Sequence, residues 1–168
     1  IENAAYCGLG YVYSDASTAF TVVNRGCSGG NLSLAHEVGH NFGALHDPYV
    51  DPDTIPYAYG HGYVYLPGLW RTVMAYDNQC IAAGSSCTRI AYFSNPNVAY
   101  NGVATGTAAT HHNARVLNDR ASTLANFRAA STVTAPTVST GAATAITSSG
   151  ATLNGTVSSN GAGATASF

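Results

Sequence analysis

The sequence predicts an α+β protein, and three observations lead there. Two short segments near the N-terminus, Gly8–Tyr13 and Ala19–Asn24, are rich in Tyr, Val, Phe and Thr and read as strands. Two longer stretches, near 33–43 and over about 110–128, repeat apolar residues at helical spacing. A tail without a charged residue then shows a two-residue alternation.

The two strand candidates are separated by Ser14-Asp15-Ala16-Ser17, which supplies turn residues. The first helix can be capped by Asn31 or Ser33, and Leu34, Ala35, Val38 and Phe42 recur along it at helical steps. Gly43 is its natural stop, because Gly accepts the left-handed conformation there. From Pro48 to Trp70 the chain reads as loop, with Tyr63-Val64-Tyr65 as a short strand. The second helix places Ala114, Leu117, Ala121, Leu124 and Phe127 or Arg128 on one face. Arg128 near its end suits the helix dipole. In the tail, Ala151–Val157 alternates in the manner of a half-buried strand, against the alternative of a flexible Ser/Thr linker.

Charge narrows the functional classes. The 168 residues hold six Arg, no Lys and eight Asp or Glu, so 8% are charged and the net charge is −2. Ordinary globular chains carry about 25% charged residues. No basic patch is large enough to hold nucleic acid. Coiled coils lack the charges they would need. With 46% hydrophobic residues and 11 Tyr, charge-driven disorder is excluded. No apolar run approaches the roughly 18 residues that span a bilayer. Composition changes near residue 129, beyond which no charge occurs. The chain divides accordingly into residues 1–129, a linker at 130–136 and a β segment at 137–168. The even set of scattered cysteines, Cys7, Cys27, Cys80 and Cys87, reads as disulfides of an exported protein.

The segment His36-Glu37-Val38-Gly39-His40-Asn41-Phe42-Gly43-Ala44-Leu45-His46-Asp47 carries the chemistry. One helical turn puts His36 and His40 on one face, able to grip one zinc ion. Gly43 lets the backbone swing His46 back as a third ligand. Three protein ligands leave a fourth position open, which separates catalytic from structural zinc. Glu37 beside them can take a proton from water and pass it to a leaving amine. At about one in twenty per position, chance yields this six-residue pattern in fewer than about one in 10⁵ such chains.

Met74, the sole Met, lies 28 residues after His46 within Arg71-Thr72-Val73-Met74-Ala75-Tyr76. Together these motifs resemble the metzincin zinc endopeptidases, in which a Met-containing turn runs beneath three zinc-binding His. Asp47 after the third His is similar to the adamalysin or reprolysin group, in particular its bacterial secreted members. The resemblance continues through Thr88-Arg89-Ile90-Ala91-Tyr92-Phe93-Ser94-Asn95-Pro96 and Asn126-Phe127-Arg128, and covers roughly residues 1–129. It implies a mixed sheet with a zinc helix and a C-terminal helix. It also implies His36, His40 and His46 as ligands of one catalytic Zn²⁺, Glu37 as general base, Met74 as the turn residue and Asp47 as a brace. Leu9, Gly10 and Tyr11 resemble the edge strand on which an extended substrate is laid. Tyr76 departs from the animal members of the group and is similar to a Tyr of astacins and serralysins. It reads equally as a zinc-contacting transition-state donor or as a packed ring beside the specificity pocket. Calcium finds no support in the sequence.

His61 and the pair His111-His112 lie outside the motif and read as surface or capping residues. Spacing favours Cys7–Cys27 and Cys80–Cys87, one of three pairings. Only 35 residues precede His36, fewer than the resemblance implies, so the chain reads as N-terminally truncated. Thr134–Thr140 and Ala151–Val157 resemble the first strands of a fibronectin type III-like module, a partial β-sandwich. The expected protein is a secreted or cell-surface monomer that hydrolyses internal peptide bonds of protein substrates. The alternative is a catalytically inactive protease-fold adhesion or binding module, against which an intact Glu37 argues.

Overall fold

In the computed structural model, which describes residues 6–128 and 135–160, the chain divides into two units, Ile1–Arg128 and Ala129–Phe168. The first is a mixture of small sheets and helices, an α+β arrangement. It opens with β1 (Gly8–Gly10) and β2 (Thr21–Val23), paired antiparallel with Leu9 opposite Val22. Both strands are shorter than their sequence patterns. After Gly10 the chain leaves the ladder to bond the end of the first helix: Asn41 Nδ2 donates to Tyr11 O at 3.0 Å, and Tyr13 N to His40 O at 2.8 Å. Tyr11 therefore lies beyond β1 rather than within it.

Helix α1 (Ser33–Phe42) follows. Neither Asn31 nor Ser33 caps it. Leu32 occupies the N-cap at φ 56° without a side-chain cap bond, and Ser33 is the first helical residue. Gly43 ends the helix at φ 102°, the left-handed geometry expected of a stop. The buried face corrects the apolar pattern. Ser33, His36, Glu37, Gly39, His40 and Asn41 are buried, while Leu34 and Val38 are 52% and 40% exposed. The helix is turned by what its polar residues meet, so hydrophobicity does not orient it.

Strands β3 (Val64–Tyr65), β4 (Trp70–Arg71) and β5 (Thr88–Arg89) form a mixed sheet, β3 antiparallel and β5 parallel to β4. Between β4 and β5 lies α2 (Asn78–Ala82), whose Cys80 is bonded to Cys87. The second bridge joins Cys7 to Cys27, and both pairs are those favoured by spacing. A two-residue hairpin, β6 (Ala99–Tyr100) with β7 (Val103–Ala104), leads to α3 (Asn113–Ala125).

Helix α3 is shorter than its pattern at both ends, and its inner face is rotated from the expected one. Asn113, Val116 and Arg120 are its buried residues, and Ala121 is exposed. Arg120 goes inward because its Nη2 donates to Ser14 O at 2.6 Å and its guanidinium lies 4.0 Å over the Tyr13 ring. Arg128 lies past the helix end. The cluster beneath α1 is Ala44, Val73 and Met74, with Leu32, Ala35, Phe93 and Leu117 packed against them.

In the second unit, β8 (Thr137–Thr144) and β9 (Thr152–Ser158) form an antiparallel hairpin with Val138 opposite Val157 and a register shift between Gly141 and Thr144. Every described residue of this unit is exposed, so the half-buried reading of 151–157 is corrected. A two-stranded hairpin has no second layer to cover either face. The linker expected at 130–136 falls mostly outside the described residues. Among the described residues no helix is long and apolar enough to cross a membrane.

Candidate metal centre

Helix α1 presents His36 and His40 from one face, and the turn at Gly43 returns His46 to meet them. His36 Nε2 lies 3.1 Å and His40 Nε2 3.0 Å from His46 Nε2. The opposite ring nitrogens are committed: His36 Nδ1 donates to Val73 O and His40 Nδ1 to Ala44 O, each at 2.9 Å. A carbonyl can only accept, so Nδ1 carries the proton of each neutral ring and Nε2 keeps its lone pair. Burial pushes the His36 and His46 imidazoles down to about 3, and His40 down as well, so all three are neutral near pH 7. The His36 and His40 lone pairs thus both face His46 Nε2 at about 3 Å, where a shared cation could accept all three nitrogens. The donor set of three neutral imidazoles fits a divalent transition metal. The other grouping of metal-type side chains among the described residues, Asp77 with Cys80 and Cys87, is spent on a disulfide.

Two backbone segments support the triad. The first is the turn after β4. Val73 O orients His36, and fully buried Met74 lies under α1. The second is a chain of hydrogen bonds that the sequence did not disclose. His61 is 3% exposed, not a surface residue, and its Nδ1 donates to His46 O at 2.8 Å. Ser94 Oγ donates to His61 O at 2.6 Å and accepts the Asn113 amide at 2.8 Å. The third histidine is thereby tied to the start of α3. Of the pair His111-His112, His112 stands at the N-cap position of α3 and His111 bonds Thr107 and Thr110.

Glu37 is 6% exposed and its carboxyl is pushed above the usual carboxylate range by burial, with the Arg89 guanidinium partly offsetting this. Strand β1 crosses close over it. A Cβ on Gly8 would sit 2.6 Å from Glu37 Cγ, and one on Gly10 would sit 2.7 Å from Glu37 O. Leu9 points the other way and is 61% exposed. The Tyr76 ring stands edge-on, its centroid 4.5 Å from that of His46 and 5.8 Å from that of His36. Burial, then the charge of Glu37, raise its phenol above the ordinary range, so it keeps its proton. A pocket of about 550 Å³ opens beside these groups, with Gly8, Gly30, Glu37, Tyr76, Arg71 and Arg89 in its wall. The two arginines were not singled out by sequence; a lone Arg two residues before a turn or on a short strand carries no spacing signal.

Residues 2–94 match a reprolysin model described as metallo-peptidase family M12. A peptidyl-Asp metalloendopeptidase of Stenotrophomonas maltophilia is 49% identical over 132 residues, covering 76% of this chain and 30% of the relative. A protein of the same name from Xanthomonas campestris pv. campestris is 48% identical over 129 residues, again 76% and 30%. A third, from Pseudomonas fragi, is 44% identical over 103 residues, covering 61% of this chain and 62% of the relative. The chain thus spans about 30% of the length of the first two relatives. Among solved structures, a chain from a chaperone–substrate complex shares the fold at a TM-score of 0.55 and 23% identity, over 74% of this chain and 18% of that one. With its triad in place and this similarity across most of its first unit, the chain belongs to metallo-peptidase family M12, among the reprolysin-like metalloendopeptidases.

Proposed function

We propose that this chain carries the catalytic centre of a zinc-dependent endopeptidase that hydrolyses internal peptide bonds, and that His36, His40 and His46 hold the metal. The observation that carries the reading is the set of three neutral imidazoles converging beside a buried carboxyl, at the mouth of an open pocket. Zinc at such a site supplies Lewis acidity toward a carbonyl and lowers the pKa of water.

The chain's own residues do the rest. Glu37 is the proton acceptor. Burial raises its pKa above the usual carboxylate range, the direction that strengthens a general base, and no ion pair among the described residues competes for it. Tyr76, protonated and edge-on to two of the histidines, is the donor to the oxygen that gains charge. Strand β1 has one strand partner among the described residues. An extended substrate adds along Leu9 and Gly10 as a further strand, with main-chain hydrogen bonds setting its register, and Tyr11 flanks that rail. The relatives' name supports a preference for bonds next to Asp. Two closed disulfides with no free cysteine among the described residues support an exported protein. The β8–β9 pair supports reading the second unit as the start of a fibronectin type III-like module.

Glu37→Gln tests the reading. Casein hydrolysis by the metal-loaded protein should fall about 10²- to 10⁴-fold while bound zinc per chain stays unchanged. Unchanged hydrolysis would overturn it.

A further inference from the structure

We infer that Arg89 is the specificity-determining residue of this site, reading a carboxylate side chain of the substrate in the pocket beside Glu37. The inference rests on the peptidase reading above and adds which side chain makes the selection.

The pocket wall carries two guanidinium groups, Arg71 and Arg89, and one carboxyl group, Glu37. The two arginines are not equivalent. Arg71 has a counter-charge: its Nε is 3.7 Å from Asp77 Oδ1, and it also donates to Cys87 O at 3.1 Å. Arg89 has no carboxylate ion-pair partner among the described residues. Its Nη1 donates to Asn31 O at 2.8 Å and its Nη2 to Ala75 O at 3.3 Å, while its Nε is buried without an acceptor. Those two carbonyls fix the plane of the guanidinium without neutralising it. Burial and the neighbouring Arg71 charge bring its pKa down to about 10, so it stays charged near neutral pH.

A half-buried cation held rigidly without a close ion-pair partner is costly, because the more distant Glu37 and Asp77 charges meet its desolvation only in part. A ligand that brings a close anion offsets that cost. A guanidinium is a planar fork that matches a carboxylate, and the match gives geometry as well as charge. The anion is not Glu37, which the reading above assigns to the chemistry and which forms no close ion pair with Arg89 among the described residues. An Asp or Glu side chain next to the scissile bond supplies what is missing. A neutral amide of the same shape leaves the guanidinium unmet, so the site discriminates between isosteres by charge.

The experiment uses the metal-loaded full protein and two peptides that differ only at one residue, Asp in one and Asn in the other. Wild type should cleave the Asp peptide about 10- to 100-fold faster in kcat/KM. Arg89→Gln should bring the ratio to within about threefold of unity, chiefly by slowing the Asp peptide. Because Arg89 also braces two loops, a second variant reads the same ratio without touching it. Gly30 shares the pocket wall and a Cβ there meets nothing within 4 Å. Gly30→Asp introduces a competing carboxylate and should cut the Asp preference about fivefold relative to Gly30→Asn. An unchanged ratio in Gly30→Asp and in any folded Arg89→Gln overturns the proposal. A wild type that cleaves both peptides alike overturns it and leaves the peptidase reading standing. A wild type that cleaves no peptide sinks both.

Discussion

The amide of Tyr76 donates a 2.8 Å hydrogen bond to Oδ2 of Asp47. Through it the residue after the third histidine is fastened to the turn that carries Met74. Asp47 is buried, and burial raises its carboxyl group above the usual range. Asp47→Ala leaves the Tyr76 amide without its acceptor inside the protein. We expect a loss of about 1–3 kcal/mol, read as a lower urea midpoint of the metal-free protein. Asp47→Asn keeps an acceptor and should lose less than half as much. Equal losses in the two variants would show that charge, and not this bond, matters.

Gly39 lies directly on the Met turn. A Cβ at Gly39 would stand 2.7 Å from Met74 Sδ and 3.0 Å from Phe93 Cε1. Met74 has no room to yield because it is fully buried. Gly39→Ala should therefore cost about 1–3 kcal/mol by overpacking. Combined with Met74→Ala, it should cost less than the sum of the two single changes, since the second removes the first clash. Strict additivity in denaturant melts would reject the contact as the cause.

Tyr76→Phe separates donor from spacer. The ring still fills the space beside His46, and only the hydroxyl is lost. Turnover should fall about 10²-fold with metal content and thermal midpoint unchanged. Unchanged turnover would assign the ring to packing.

The metal-free protein should lose stability as pH falls below about 6.5. His36 and His46 ionise near 3 when folded, and His40, His111 and His112 are also lowered, against 6.5 for an ordinary His. Between those limits the unfolded chain binds more protons than the folded one, so stability drops as pH falls through this window. Glu37 and Asp47, both raised by burial, act in the opposite sense, losing stability as pH rises through their folded values. Five histidines outnumber these two carboxyl groups. Urea midpoints at pH 7.5, 6.5 and 5.5 should fall in that order, and bound zinc should flatten the series by holding the triad neutral. A flat metal-free series would contradict the burial of the triad.

What could be read from the sequence was local in separation. His36, His40 and His46 span eleven residues, and helical geometry plus the stop at Gly43 suffices to bring them together. Met74 was legible because it is the chain's one Met in a recurring turn. The residues that were misread or missed answer to partners far along the chain. Arg89 meets Asn31 across 58 positions, and Arg120 meets Ser14 across 106. His61 is buried by its bond to His46 and by Ser94, which no pattern around it announces. The inward face of α1 was misread for a related reason: its polar side chains are the buried ones, so a rule that sends Leu34 and Val38 inward fails there.

Strand β1 has a consequence for how this protein can vary. Gly8 and Gly10 lie bare against Glu37, and Leu9 between them faces solvent. Alternation along a strand means that a one-residue slip would drive the Leu9 side chain into Glu37. Mutational drift is thereby confined to one position in three. A library randomised over 8–10 should return functional clones with a free choice at 9 and glycine at both neighbours. The outer face of β1, where Leu9 lies with Tyr11, Phe20 and Val22, can change without disturbing Glu37 beneath the strand.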